Sequence, residues 1–161
     1  MSYVDGPYTL RDRAKAKLDR LVAKGILRWL NEGKITEGLS GPSFVIKPGR
    51  GMRLETDLVN LNRALQCPTH PFSPINDILS LIDAEAKYFV TLDCLGGYWQ
   101  ITLDPKSQKL VAFLMEWGRM TYLRAPMGLM FLGDIFCHRA YEALAGHPGV
   151  QKLVDDVLVK G

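Results

Sequence analysis

Tyr88-Phe89-Val90-Thr91-Leu92-Asp93-Cys94-Leu95-Gly96-Gly97-Tyr98-Trp99-Gln100-Ile101 is the stretch on which the reading of this chain turns. Aromatic and β-branched residues fill its first half, which is strand composition, and the run ends on a carboxylate. A buried strand carrying Asp93 at its end is expected. Further along, Leu153-Val154-Asp155-Asp156-Val157-Leu158-Val159 sets two apolar arms around an acidic pair. Two short strands joined by a tight turn would hold that pair at the tip. Adjacent carboxylates in an apolar setting are costly unless they are exposed, protonated or bound to a cation.

An isolated Asp-Asp reads most simply as a solvated turn. Asp93 changes the weighing, because it places another carboxylate at the end of another strand. Nucleotidyl transfer by two Mg²⁺ ions needs carboxylates from neighbouring strands, so that the ions can bridge an attacking 3′-hydroxyl and a triphosphate.

The surroundings of these runs predict an α+β layout, with helices packed on an antiparallel sheet. Residues 10–25 read as a helix, with Leu10, Ala14, Leu18, Leu21 and Val22 on one stripe and Gly25 placed to end it. Residues 28–41 are polar and aperiodic, and read as loop. Ser43-Phe44-Val45-Ile46-Lys47 and Met52-Arg53-Leu54-Glu55-Thr56 flank Pro48-Gly49-Arg50-Gly51, which predicts a hairpin. Ser73-Pro74, followed by Ile75, Ile78, Leu79 and Ile82, reads as a short capped helix. Strands are expected at 109–115 and 120–124, and a helix at 131–145 closed by Gly146 and Pro148.

Length and composition agree with one globular piece. The chain has 161 residues and a net charge of +3, which permits a nucleic-acid partner without demanding one. No apolar run reaches the roughly 20 residues of a membrane span, and the N-terminus lacks signal-peptide form. Cys67, Cys94 and Cys137 form no CxxC pair, and His70, His138 and His147 sit at no metal-ligand spacing. These features point to a reduced, intracellular chain. His138 and His147 are expected at the surface, and the methionines other than Met127 in the core.

Five blocks together resemble the reverse transcriptase of gypsy-type LTR retrotransposons, a relative of the retroviral enzymes. They are Lys24-Gly25-Ile26; Met52-Arg53-Leu54-Glu55-Thr56-Asp57 with Leu61-Asn62; the 88–101 run; Leu123-Arg124-Ala125-Pro126-Met127-Gly128-Leu129; and Leu153-Val154-Asp155-Asp156-Val157-Leu158. Each alone is weak; their shared order and spacing make the resemblance specific. The chain departs from the family at Leu153, where Tyr is usual, at Met127, where Phe is usual, and at Val59 and Asn60, where a basic pair is usual. Gly38 and Gly41 stand where a bulkier residue and Ser are expected.

The resemblance implies the fingers and palm of a right-hand polymerase fold, interleaved across 1–161 as a partial domain without thumb, connection or RNase H. It implies an RNA-directed DNA polymerase that adds dNTP to a primer 3′-hydroxyl on an RNA or DNA template. Asp93, Asp155 and Asp156 match the catalytic carboxylates, holding two Mg²⁺ or Mn²⁺ ions with the backbone carbonyl of Cys94 nearby. Lys47 and Arg53 match the residues that grip the triphosphate, where an Arg fork suits phosphate oxygens. Tyr98 matches the ring under the deoxyribose, and Met127 and Gly128 the support for the template base and nucleotide. Further implied partners are the rest of a Pol polyprotein, thumb and RNase H included, but no membrane. The implied location is the cytoplasm or virus-like particles. The competing reading is a non-catalytic relic or a domesticated nucleic-acid-binding module that keeps the fold. An unrelated RNA-binding α+β domain ranks last, because no aromatic sheet-face signature is present.

Overall fold

The computed structural model describes residues 7–31, 39–47, 51–66, 87–147, 149–153 and 156–160. The chain divides into two compact units, one of Met1–Leu65 with Thr102–Leu129 and the other of Gln66–Ile101 with Met130–Gly161.

The first unit opens with α1 (Pro7–Ala23). Its apolar stripe is buried at Ala14, Leu18 and Leu21, as the periodicity requires. Gly25, at φ 65°, takes the left-handed turn that ends the helix. Its N–H donates to Val22 O at 2.9 Å and that of Ile26 to Leu21 O at 3.0 Å, which satisfies carbonyls the helix end leaves open.

The chain then enters β1 (Leu27–Trp29), inside the stretch expected to be loop. β1 is too short to show a period. It exists because β6 (Gly118–Tyr122) pairs with it, Leu27 opposite Tyr122 and Trp29 opposite Met120. β5 (Phe113–Met115) completes a three-stranded antiparallel sheet in the order β1-β6-β5.

The expected hairpin is present as β2 (Gly41–Lys47) and β3 (Gly51–Asp57), in register from Gly41↔Asp57 to Lys47↔Gly51. Its turn, 48–50, lies outside the described residues, as does Gly38. α2 (Val59–Ala64) follows. The strand expected at 109–115 is shorter than the composition suggests, because α3 (Ser107–Leu110) takes its first two residues and β5 starts only at Phe113. Asp104 explains that turn. Its carboxylate accepts from the backbone N–H of Lys106 at 2.8 Å and of Ser107 at 3.1 Å, so two donors at the helix start are satisfied.

Phe113 and Met120 are fully buried in this unit, and Tyr122 lies beside them with its ring centroid 5.4 Å from that of Phe113. The Tyr122 hydroxyl shares a hydrogen bond with Thr56 Oγ1 at 2.8 Å, which ties the hairpin to the sheet. Burial pushes the Tyr122 phenol up to about 12 from its usual 10.0, against a smaller opposing effect of the Thr56 bond. The folded state therefore holds the proton more tightly than the unfolded chain. That stability is fully present below about pH 10 and is lost as pH rises towards 12, a total of about 2–3 kcal/mol. Urea unfolding from pH 8 to 12 should show this loss in the wild type, and Tyr122→Phe should lack it. Parallel pH profiles for the two would mean that the phenol is not buried in solution.

The second unit contains β4 (Phe89–Asp93), a 3₁₀ turn η1 (Gly97–Gln100), α4 (Leu132–Leu144), β7 (Val150–Leu153) and β8 (Asp156–Lys160). Its antiparallel sheet runs β4-β8-β7. The helix expected from Ser73 to Ile82 lies outside the described residues, as does Cys67. α4 buries Leu132 and Phe136 and packs on η1 and β7.

β4 corrects an expectation. Every residue of it is exposed, with Phe89 at 50% and Val90 at 54% although they point to opposite faces. The strand sits at the sheet's edge with β8 as its only strand neighbour among the described residues, and α4 packs against β7, the opposite edge. The methionines also divide, with Met120 fully buried and Met130 exposed. His138 is exposed near Glu142, and His147 is exposed as expected. No described helix is long and apolar enough to cross a membrane.

Candidate functional site

Asp93 is the last residue of β4 and Asp156 the first of β8, and the antiparallel register sets them directly opposite each other. Opposed residues in such a ladder have Cα atoms about 4.5–5.5 Å apart. Carboxylates distant in sequence are thereby brought side by side. Leu153 ends β7, also opposite Asp156, so Asp156 lies between Leu153 and Asp93 across the sheet. Asp155, expected to share this site, lies outside the described residues.

Both Asp93 and Asp156 are exposed. The expectation that burial would make a shared cation necessary is therefore corrected, since water already solvates both groups. What remains is like-charge opposition across neighbouring strands, which is unfavourable in itself. Two facing, solvent-open carboxylates supply oxygen ligands of the kind a hard divalent cation takes while keeping most of its water. Among the described residues no group of three or more His, Cys, Asp or Glu side chains is arranged to hold a metal.

Past Asp93 the chain turns sharply. Gly96 has φ 62°, and Gly97, Tyr98 and Trp99 follow in η1. Cys94 is half-buried and, with Ile101, Phe136, Ala140 and Val157, lines a cleft of about 390 Å³. Among the described residues, no carboxylate lines this cleft.

Tyr98 is half-buried, and its ring meets that of Phe136 edge-on, with centroids 5.7 Å apart at 90°. Phe136 also lies against Gly97, where an added Cβ would come within 2.6 Å of its ring. Sequence reasoning missed Phe136. The signal was present in the paired glycines before Tyr98, which mark a close approach, and in the apolar helix face of Leu132 and Phe136.

The remaining expected site residues belong to the first unit. Lys47 ends β2 with its backbone opposite Gly51; its side chain lies outside the described part of the structure. Arg53 stands on β3 opposite Val45 and is half-buried. Met127 is half-buried. Gly128 has φ 104°, a conformation L side chains rarely adopt. The Gly128 carbonyl accepts a hydrogen bond from Asn62 Nδ2 at 2.7 Å, so Asn62 fixes the loop that carries Met127 and Gly128.

No protein-family model matches the chain. Among curated proteins it is 29% identical to the retrovirus-related Pol polyprotein from transposon opus of Drosophila melanogaster, over 95% of this chain and 16% of that protein. It is 27% identical to the Pol polyprotein from transposon gypsy of the same organism, over 92% of this chain and 15% of that one. Among solved structures, the prototype foamy virus protease-reverse transcriptase superposes with a TM-score of 0.82 at 24% identity, over 99% of this chain and 21% of the viral one. The foamy viral enzyme in complex with an RNA/DNA hybrid gives a TM-score of 0.79 at 21% identity, again over 99% of this chain and 21% of that one. The chain thus spans less than a quarter of the length of these relatives.

Proposed function

The chain is a homologue of the retrotransposon and retroviral Pol polyproteins, gypsy's among them, and has the fold of a reverse transcriptase; from that premise we propose that it forms the fingers and palm of an RNA-directed DNA polymerase. The reaction is addition of dNTP to a primer 3′-hydroxyl on an RNA or DNA template. The observation that carries this reading is the register pairing Asp93 with Asp156, which no packing or charge argument favours on its own.

In this proposal Asp93, Asp155 and Asp156, with the Cys94 carbonyl, hold two Mg²⁺ or Mn²⁺ ions. Those ions, when bound, supply the charge that lowers the hydroxyl's pKa and neutralises the leaving pyrophosphate. Arg53 and Lys47 grip the triphosphate. Tyr98 lies under the sugar with its ring set by Phe136. Met127 and Gly128 support the base pair on a loop that Asn62 holds. The foamy viral neighbour solved in complex with an RNA/DNA hybrid supports the choice of template. The working location is the cytoplasm or a virus-like particle, beside the other parts of a Pol polyprotein.

The test is dNTP binding by calorimetry with and without Mg²⁺. Binding should strengthen markedly on adding Mg²⁺, because the ion takes ligands from both the carboxylates and the phosphates. Equal dNTP affinity in Mg²⁺ and in EDTA would favour a nucleic-acid-binding module that keeps the fold without the chemistry.

A further inference from the structure

Two cations of α1 have both a carboxylate partner and an aromatic ring beside them. Arg11 is paired with Glu116 at 2.8 Å and lies over the Trp117 ring, 5.8 Å from its centroid. Lys15 is paired with Asp19 at 2.5 Å and lies 5.3 Å from the Trp29 centroid. Lys17, Arg20 and Lys24 are different. Steps of three and four residues put them on one stripe of the helix. α1 packs against β3, which carries Arg53. Among the described residues, none of these four cations has a carboxylate within ion-pair distance.

The cluster is close enough to act on itself. The Lys17 ammonium is held below its usual range, first by partial burial and then by the fields of Arg20, Lys24 and Arg53. The helix dipole accounts for cations near the last turn, hence for Arg20 and Lys24. It does not account for Lys17, nor for Arg53 arriving from a different element. A row of like charges gathered from helix and strand is self-repelling until an anion joins it.

We propose that Lys17, Arg20 and Lys24, beside the Arg53 that the proposed function gives to the triphosphate, form a seat for the phosphate backbone of a single-stranded nucleic acid. The stripe is one side chain wide and, at the helical rise, about 10 Å long from Lys17 to Lys24. Its cations follow one another at about 4.5–6 Å along the axis, a narrow row that the flexible backbone of one strand can track with successive phosphates. Acidic proteins are a poorer fit, because protein interfaces depend on buried aromatic or arginine anchors in pockets, and this row is open and has no aromatic residue. The seat rests on the reading of the chain as a nucleic-acid-binding polymerase piece, and adds the surface by which a strand is held independently of metal.

The experiment is fluorescence anisotropy of a short labelled single-stranded oligonucleotide on the whole chain, in EDTA, across a salt series. Arg20→Ala/Lys24→Ala should lower affinity by roughly tenfold at low salt. It should also flatten the log K against log salt slope by about 1.4, or about 0.7 for each lost contact. Both residues are exposed, so folding should be retained, and Arg20→Gln/Lys24→Gln should behave the same way. Lys106→Ala/Lys109→Ala removes equal charge from exposed positions elsewhere and should leave the slope nearly unchanged. If the stripe variant binds like the wild type, or the control loses as much, the seat is refuted while nucleic-acid binding stands. If the wild type binds no oligonucleotide, both fall. An acidic peptide of equal charge that competes as well as the oligonucleotide would overturn the choice of nucleic acid.

Discussion

Asp93→Asn is expected to weaken Mg²⁺-coupled dNTP binding by at least about a hundredfold, because losing even an outer-shell partner of a metal ligand typically costs 10–100-fold. The change keeps the shape of the side chain and removes one charge. Asp93 faces Asp156 across the strand pair, so the same change also removes a like-charge opposition. Cross-strand pairs are worth about 0.2–1 kcal/mol, so the variant should be as stable as the wild type or more stable by about that much. Function lost with stability kept or gained is the mark of a site whose charges are retained for a ligand rather than for the fold. Asp156→Asn should behave the same way, and Asp155→Asn should remove metal binding, and with it nucleotide incorporation by the full-length protein. Calorimetry with dNTP and Mg²⁺, run beside urea unfolding, reads both quantities. Unchanged Mg²⁺-coupled binding would remove Asp93 from the proposed site, and a drop in stability would make it a structural residue.

That signature also shows how far the sequence could be read. Composition located β4, because Phe89, Val90 and Thr91 favour a strand whatever surrounds them. It could not reveal that β4 is exposed, since the same residues serve a buried strand or an edge. Nor could it give the pairing of Asp93 with Asp156, which depends on the register of β4 with β8, although the resemblance to reverse transcriptases suggested it. β1 was hidden because three residues show no period and its pairing partner lies far along the chain. α3 was legible in principle: Asp104-Pro105 ahead of Ser107 is a helix-start signal, outweighed by the apolar residues that follow. The pairing of β2 with β3 was readable, because the two strands lie close together in the sequence.

The Gly97–Phe136 contact gives the largest expected effects on stability. A Cβ on Gly97 would lie 2.6, 2.9 and 3.1 Å from three atoms of the Phe136 ring, all below ordinary contact. The ring is buried and edge-on to Tyr98, so it cannot swing aside without disturbing the turn that carries Tyr98. Gly97→Ala should therefore destabilise by about 1–3 kcal/mol, as overpacking does. Phe136→Ala should cost about 3–5 kcal/mol, because it opens a cavity under the same turn. In the double variant the methyl group added by Gly97→Ala enters the space the ring has left. The combined loss should then fall short of the sum by about 0.5–3 kcal/mol, the range for residues in contact. Urea unfolding of the four proteins completes the cycle. Simple additivity would show that Gly97 and Phe136 are not in contact in solution, and would remove the support here assigned to Tyr98. If they are coupled, Gly97→Ala should also raise the KM for dNTP, in a polymerase extended through the thumb, by more than its stability loss explains, because the Tyr98 ring proposed to lie beneath the sugar is displaced while the carboxylates stay in place.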